Sequence, residues 1–144
     1  FRIFSDVGRR LGDLHVNFDR QPIYAGVEID TGSKPLKPAD YRVEKMKYGK
    51  GKDRTTLHYN DRITIRGIPL EAYDYVVNGK SALDWVIERQ CIKTDKASGI
   101  INDANDWATE TMHNPRYPLE LFLRVVTVSI ETMELVRKLP ILHV

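Results

Sequence analysis

The stretch from Tyr75 to Trp107, YVVNGKSALDWVIERQCIKTDKASGIINDANDW, constrains this chain most, because it contains a fully marked buried helix. Asn78-Gly79 breaks the chain, the Ser81 hydroxyl is placed to cap a helix, and Asp84 stands three residues on, where a carboxylate reaches back to the free N–H groups of the first turn. Leu83, Val86 and Ile87 then form one apolar stripe, which Ala82 and Trp85 widen to most of the helix circumference. A helix that apolar is a buried one. After Gly99, the polar run from Asn102 to Asp106 is a turn, closed by Trp107, which is expected to pack back on the helix. The stretch reads as scaffold, so chemistry is expected on what it supports.

The flanking sequence has its own periodicities. Val7, Leu11, Leu14 and Phe18 recur at helical spacing over Ser5 to Phe18. Gly8 and Gly12, one turn apart, would admit a close neighbour, and His15 beside Leu14 reads as a core or cap histidine. Ile23 to Thr31 alternates loosely as a strand. Tyr41 to Tyr48 alternates too, with a phase change that places a bulge at Glu44-Lys45. Gly49 to Asp53 is a turn, Thr55 to Tyr59 and Arg62 to Ile65 are short strands, and Asn60-Asp61 is the tight turn between them. From Pro69 the period becomes helical: Leu70 to Val77, Ser81 to Gln90, then Ile100 to Thr111 as a third helix or an ordered loop. Asn114 to Pro118 stops the chain. Leu119 to Leu139, ended by Pro140, is the longest helix; its run Val125 to Val128 favours a strand, but length and the spacing of Phe122, Val126, Ile130, Met133 and Val136 decide for helix. The expected fold is α+β: an N-terminal helix, a small antiparallel β-meander and a C-terminal helical bundle, in one domain over residues 1–144.

Composition bounds the setting. With 144 residues and 42% hydrophobic content, there is material for one core and hardly for two. The single cysteine, Cys91, rules out an internal disulfide, which points to a reducing, cytoplasmic compartment; it follows a buried helix and reads as packed. The most apolar run is broken by Glu120, Arg124, Thr127 and Ser129, so no membrane segment is expected. The absence of an initiator methionine ahead of Phe1 points to a fragment cut from something longer.

The net charge of +2 hides an asymmetry: between Lys34 and Arg66 ten Lys and Arg face four acids, giving +6, and the remaining twelve bases face sixteen acids, giving −4. Charge so concentrated is the footprint of a polyanion partner, or else a solvated lysine-rich loop. Lys45, Lys47, Lys50 and Lys52 are the candidates for DNA phosphates, Arg54, Arg62 and Arg66 for bases or phosphates, and His58 stands among them. Tyr41, Tyr48 and Tyr59 are interleaved with these and read as core at least as readily as contacts.

Catalytic signatures fail one by one. Gly79-Lys80-Ser81 copies the end of a phosphate-binding loop, but Asp74 stands where that loop needs glycine. Asn114-Pro115-Arg116-Tyr117 departs at Arg116 from the loop that holds adenine in N6 methyltransferases. No Asp or Glu has lysine two residues later, as metal-dependent nucleases need, and His15, His58, His113 and His143 show no zinc spacing. No cofactor, metal, catalytic residue or small-molecule substrate is expected.

An ordered series of segments carries a family resemblance. It runs from Asp13-Leu14-His15-Val16-Asn17 through Lys45-Met46-Lys47-Tyr48, Tyr59-Asn60, and Ile63-Thr64-Ile65 leading to Gly67-Ile68-Pro69. It continues with Tyr75 to Val86, Lys93-Thr94-Asp95-Lys96, Ser98-Gly99-Ile100, Asn102-Asp103, and Arg124 to Thr132. Together these resemble the extreme C-terminus of type ISP restriction-modification enzymes, bacterial proteins often labelled predicted helicases, over about Gly8 to Pro140. The resemblance implies a parent polypeptide carrying nuclease, helicase-translocase and adenine N6 methyltransferase activities, of which this chain is part of the target-recognition region. The resulting expectation is a noncatalytic specificity domain with duplex DNA and the upstream domains of its own polypeptide as partners. The alternative is a protein–protein docking or structural support domain within the same parent.

Overall fold

In the computed structural model, which describes residues 2–32 and 34–138, the chain opens with helix α1 (Arg2–Val16) and a 3-10 turn at Phe18–Arg20. Strand β1 (Glu28–Asp30) precedes a 3-10 turn at Pro38–Tyr41, then β2 (Lys47–Gly49), β3 (Asp53–His58) and β4 (Thr64–Arg66). A 3-10 turn at Leu70–Asp74 leads to β5 (Val76–Val77), β6 (Lys80–Ser81) and helix α2 (Ala82–Arg89). Strands β7 (Ile92–Thr94) and β8 (Ile101–Asp103), the helical turn α3 (Ala104–Asp106), a π-helical turn at Trp107–Thr111 and helix α4 (Tyr117–Lys138) complete it. The main sheet is antiparallel in the order β1-β4-β3-β2, so β2–β3–β4 is a meander with β1 added at its far edge. The α+β arrangement is the one expected, with α2 and the 3-10 turn at Leu70–Asp74 packed against α4.

Helix α4 is the axis of the core. Phe122 and Val126 are fully buried, and Leu119, Leu121, Leu123, Val125, Thr127, Val128 and Ser129 are all under a tenth exposed, so its first half is buried around most of its circumference, with Glu120 and Arg124 on a partly exposed side. That burial explains why the β-branched run stays helical, since covering most of a circumference outweighs a propensity difference of about 0.7 kcal/mol per residue at most. The two enclosed hydroxyls return to their own helix, Ser129 Oγ to the Val125 carbonyl at 2.7 Å and Thr127 Oγ1 to the Leu123 carbonyl at 3.5 Å. Leu57, Tyr59, Ile63, Ile65 and Ile68 from the sheet and Leu83 from α2 pack into the same core.

Helix α2 begins at Ser81, whose hydroxyl accepts the Asp84 N–H at 3.1 Å. The Asp84 carboxylate does not turn to backbone N–H groups; it accepts the Ser81 hydroxyl at 2.7 Å and the Tyr48 phenol, tying helix to sheet. Leu83 and Val86 are buried, whereas Ala82, Trp85 and Ile87 are half-buried, so the helix shows more of its circumference than its composition implies. Ahead of it, β5 and β6 form a two-residue hairpin across Asn78 and Gly79, both with positive φ (49° and 91°), the backbone a type I′ turn requires.

Several expected elements take other forms, each because a different partner claims the backbone. Only Glu28–Asp30 of the expected strand Ile23 to Thr31 pairs, since the Tyr24 N–H goes to the Leu123 carbonyl of α4 at 3.2 Å. The strand expected from Tyr41 begins only at Lys47, and the irregularity lies between Tyr48 and Gly49 instead of at Glu44-Lys45. The cause is Asn105, described below. Leu70 to Val77 is a 3-10 turn followed by a strand, and Ile100 to Thr111 is a strand and two short helical turns. Trp107 is 55% exposed and does not pack back on α2, because Asn105 and Ala108, three residues apart, take the inward face. His15 is exposed as well: Leu14 occupies the inward position, and the His15 ring meets the Tyr75 hydroxyl at 2.9 Å. The expected helix stop at Leu139-Pro140 lies outside the described residues.

Gly8 and Gly12 have no close neighbour, as a Cβ at either would meet nothing within 4 Å. With no packing role in an exposed helix interior, Gly8→Ala and Gly12→Ala are each expected to raise stability by about 0.4–1 kcal/mol, read as an upward shift of the urea midpoint with unchanged slope.

Candidate nucleic-acid interface

The meander's register decides which side chains share a face. Leu57 pairs with Ile65 and Tyr48, and these point to the core. On the other face one cross-strand row reads Lys47, His58, Thr64, Asp30, and the next reads Thr56, Arg66, Glu28. The outer face is therefore graded, with lysine at the free β2 edge and carboxylates at the β1 edge. A polyanion lying on it is drawn toward β2.

The ten bases of the segment from Lys34 to Arg66 divide by residue type. All four arginines are paired with carboxylates: Arg42 with Asp103 at 2.8 Å, Arg54 with Asp84 at 3.8 Å, Arg62 with Asp40 at 3.1 Å and Arg66 with Asp30 at 2.8 Å. The six lysines have no carboxylate partner among the described residues and, at Lys34, Lys37, Lys45, Lys47, Lys50 and Lys52, stand exposed. Guanidinium is weakly hydrated and fits a carboxylate in plane; ammonium holds its water and stays in solvent, which accounts for the division.

The candidate residues thus fall into separate groups. Lys45, Lys47, His58 and Arg62 line one polar concavity of about 340 Å³, together with Asp40, Arg42 and Glu44. His58 there shares a hydrogen bond of 3.2 Å with Thr64, and Arg62 also donates to the Lys34 carbonyl. Lys50 and Lys52 occupy the β2–β3 turn, where Gly51 and Lys52 have φ of 70° and 60°. Arg54 lies apart, its guanidinium 5.6 Å and 5.2 Å from the Tyr48 and Tyr73 ring centroids. Arg66 sits on the outer face.

The tyrosines are structural. Tyr59 is fully buried and donates to the Tyr41 carbonyl at 2.6 Å, Tyr48 donates to Asp84, and Arg116 covers the Tyr41 ring at 5.2 Å. Burial pushes the Tyr48, Tyr59 and Tyr73 phenols well above their ordinary range, so they remain proton donors throughout the working pH.

The whole surface hangs on one junction that charge counting does not reveal. The Asn105 side chain, 8% exposed, accepts the Val43 N–H at 2.8 Å and donates to the Val43 carbonyl at 2.6 Å. It thereby replaces the strand partner that residues 42–44 would otherwise need, and joins the base of the meander to α3. Asp103 supports it, accepting from the Asn105 backbone and amide at 2.8 Å and 2.7 Å and from Arg42. Burial would raise the Asp103 carboxyl, but these donors outweigh it and hold it below the ordinary carboxylate value of 3.8. The Arg66 hydrogen bond does the same for Asp30, helped by the Gly32 N–H.

Both carboxylates have folded values below their unfolded ones, so the stability they contribute is present above the unfolded value and lost as pH falls through the folded one. Acid titration followed by circular dichroism is expected to show stability declining below pH 3.8. In Asp103→Asn that decline is shallower, from a lower starting stability.

Among the described residues no helix is long and apolar enough to cross a membrane. No curated protein matches the chain. The family described as the Type ISP C-terminal specificity domain matches residues 1–121. Among solved structures, the chain is similar to a nuclease-deletion mutant of the Type ISP restriction-modification enzyme LlaGI in complex with a DNA substrate mimic. The TM-score is 0.84 at 46% identity, covering 96% of this chain and 10% of that one. It is similar to the ATP-dependent Type ISP restriction-modification enzyme LlaBIII bound to DNA, with TM-score 0.87 and 40% identity over 99% of this chain and 9% of that one. A DrdV–DNA complex matches at TM-score 0.69 and 26% identity, over 97% of this chain and 14% of that one. The chain thus spans 9–14% of the length of these solved chains.

Proposed function

The chain belongs to the family of Type ISP C-terminal specificity domains, and from that premise we propose that it binds duplex DNA through its lysine-bearing sheet edge and helps select the target of a longer restriction-modification polypeptide. It acts as a single domain without catalysis of its own, and the nuclease, translocase and methyltransferase chemistry belongs to the rest of that polypeptide. The DNA-bound LlaGI, LlaBIII and DrdV neighbours support the choice of ligand.

The observation that carries the reading is the division of bases: arginines engaged with carboxylates, lysines along β2 and its turn left to solvent. Lys45, Lys47, Lys50 and Lys52 are the phosphate contacts in this reading, and Lys34 and Lys37 join them. Phosphate contacts supply affinity and register, and base contacts supply selectivity. Arg66 is the arginine best placed to change partner, since its ion pair with Asp30 is about half exposed and such pairs are worth about 1 kcal/mol at most. His58, in the concavity beside Lys45 and Lys47, is the candidate for direct reading of a base edge, whereas Arg62, tied there to Asp40 and the Lys34 carbonyl, serves the fold first. Arg54, held by Asp84 and two tyrosine rings, serves the fold first.

The test is fluorescence anisotropy of the protein on random and then selected duplexes over a salt series. Affinity falling steeply with salt, by about 0.9 log unit per log unit of salt for each phosphate contacted, is the expected result. Binding that is absent at low salt would move target reading away from this surface and leave the chain a structural support.

A further inference from the structure

Over the first half of α4, between α1, the β5–β6 hairpin and α2, runs an open groove of about 570 Å³ that the DNA reading does not use. Its floor is Leu121, Val125 and Val128 of α4, and its walls include Leu14, Phe18 and Trp85. Phe18 is 41% exposed in the wall of this largely apolar channel. The Trp85 indole N–H is already committed to the Val77 carbonyl at 2.5 Å, so the ring is fixed in place. Lys80 and Arg89 approach its ring centroid to 4.3 Å and 5.4 Å, making this rim positive. Lys80 is paired with Glu88, but Arg89 has no carboxylate partner among the described residues. At the end of the same wall stands Gln90, whose Oε1 is the one buried side-chain polar atom without a hydrogen-bond partner among the described residues.

We infer that this groove is the docking site for another segment of the same polypeptide, lying outside these 144 residues. That segment presents apolar side chains to Phe18 and Trp85 and a carboxylate to Arg89. An apolar channel with a half-exposed aromatic in its wall and a cation without a carboxylate partner at its rim has the make-up of a contact surface. The choice of occupant follows from length: this chain corresponds to 10% and 9% of the LlaGI and LlaBIII chains, so about nine-tenths of such a polypeptide remains to be seated against it. Interfaces between domains of one chain are of moderate area and mixed polarity, as this groove with its cationic rim is. The inference rests on the reading that the chain works inside a longer polypeptide, and it is independent of DNA contact.

The experiment uses the full parent polypeptide without DNA. Cysteine is placed singly at His15 and Phe18 in the groove, and at Lys50 on the sheet turn, and thiol labelling rates are compared by mass spectrometry. The expected result is labelling at least tenfold slower for His15→Cys and Phe18→Cys than for Lys50→Cys. Equal rates would overturn the inference. His15 is exposed, so His15→Cys carries the test should Phe18→Cys fail to fold. A photo-crosslinking residue at position 18 then identifies the occupant. Linkage to another segment of the same polypeptide supports the proposal; linkage between two copies, or none, overturns it. Because labelling is read without DNA, its failure leaves the DNA reading standing, and loss of DNA binding leaves the groove result standing.

Discussion

Replacing Lys47, Lys50 and Lys52 together by alanine is expected to weaken binding to every duplex by about a hundredfold at physiological salt and to flatten the log–log salt dependence by about 2.7 units. The reasoning is counterion release: each lysine that neutralises a phosphate frees condensed cations, and three such contacts removed take three increments of slope with them. The three side chains are exposed and have no carboxylate partner among the described residues, so their loss leaves the fold unchanged. Circular dichroism and the urea midpoint serve as the control. The ratio of affinities for selected over random DNA is expected to stay the same, because phosphate contacts carry no sequence information. A triple variant with wild-type affinity and slope would mean that DNA lies elsewhere. The same removal at Arg54 is expected to act mainly on stability, since that guanidinium is stacked on Tyr48 and Tyr73 and paired with Asp84.

Asn105→Ala is expected to cost about 3–5 kcal/mol of folding stability, measured by urea denaturation. The substitution strands the Val43 N–H and carbonyl together inside a buried junction, and each unsatisfied buried backbone group costs about 1–3 kcal/mol. It also removes one of the donors that hold the Asp103 carboxyl down, the Asn105 side-chain amide, while the backbone N–H at 105 remains. Asn105→Asp separates the contributions: a carboxylate still accepts from Val43 N–H, but it opposes the Val43 carbonyl and stands beside Asp103, so it is expected to be no better tolerated than alanine at neutral pH. A variant that loses less than about 1 kcal/mol would mean that water replaces the amide at no cost, and that the junction does not support the meander. At salt and temperature where the variant is still folded, DNA affinity is expected to fall less than in the lysine triple variant, because the charges remain.

Helix α2 announces itself through Ser81 and its apolar stripe, and α4 through length and spacing, because capping and amphipathicity are local properties. The Asn78-Gly79 turn is local in the same way. By contrast, residues 42–44 alternate like a strand but bond to the Asn105 side chain and, through Glu44, to the Ile92 N–H at 2.9 Å, partners roughly fifty to sixty residues away that no window reveals. Trp107 departs from expectation for a related reason: its size argues for burial, but the turn geometry gives the inward positions to Asn105 and Ala108. In the candidate interface, clustering of charge was visible in the composition. Which charges are already spent on carboxylates was not, since Arg42 finds Asp103 and Arg66 finds Asp30 only across the fold.

The amino-acid sequence by itself determined the class of the fold, the two principal helices, the order of the meander, the concentration of positive charge in one segment and, through its ordered motifs, the family. Each of these depends on residue type and near-neighbour spacing, which a linear chain contains in full. Only the tertiary structure decided the register that puts Lys47 and His58 on one face, the pairing that removes the arginines from the free charge, the Asn105 junction under the meander and the groove over α4. Those depend on which distant groups meet once the core closes, and hydrogen bonds and ion pairs of a few ångströms' reach are assigned only then.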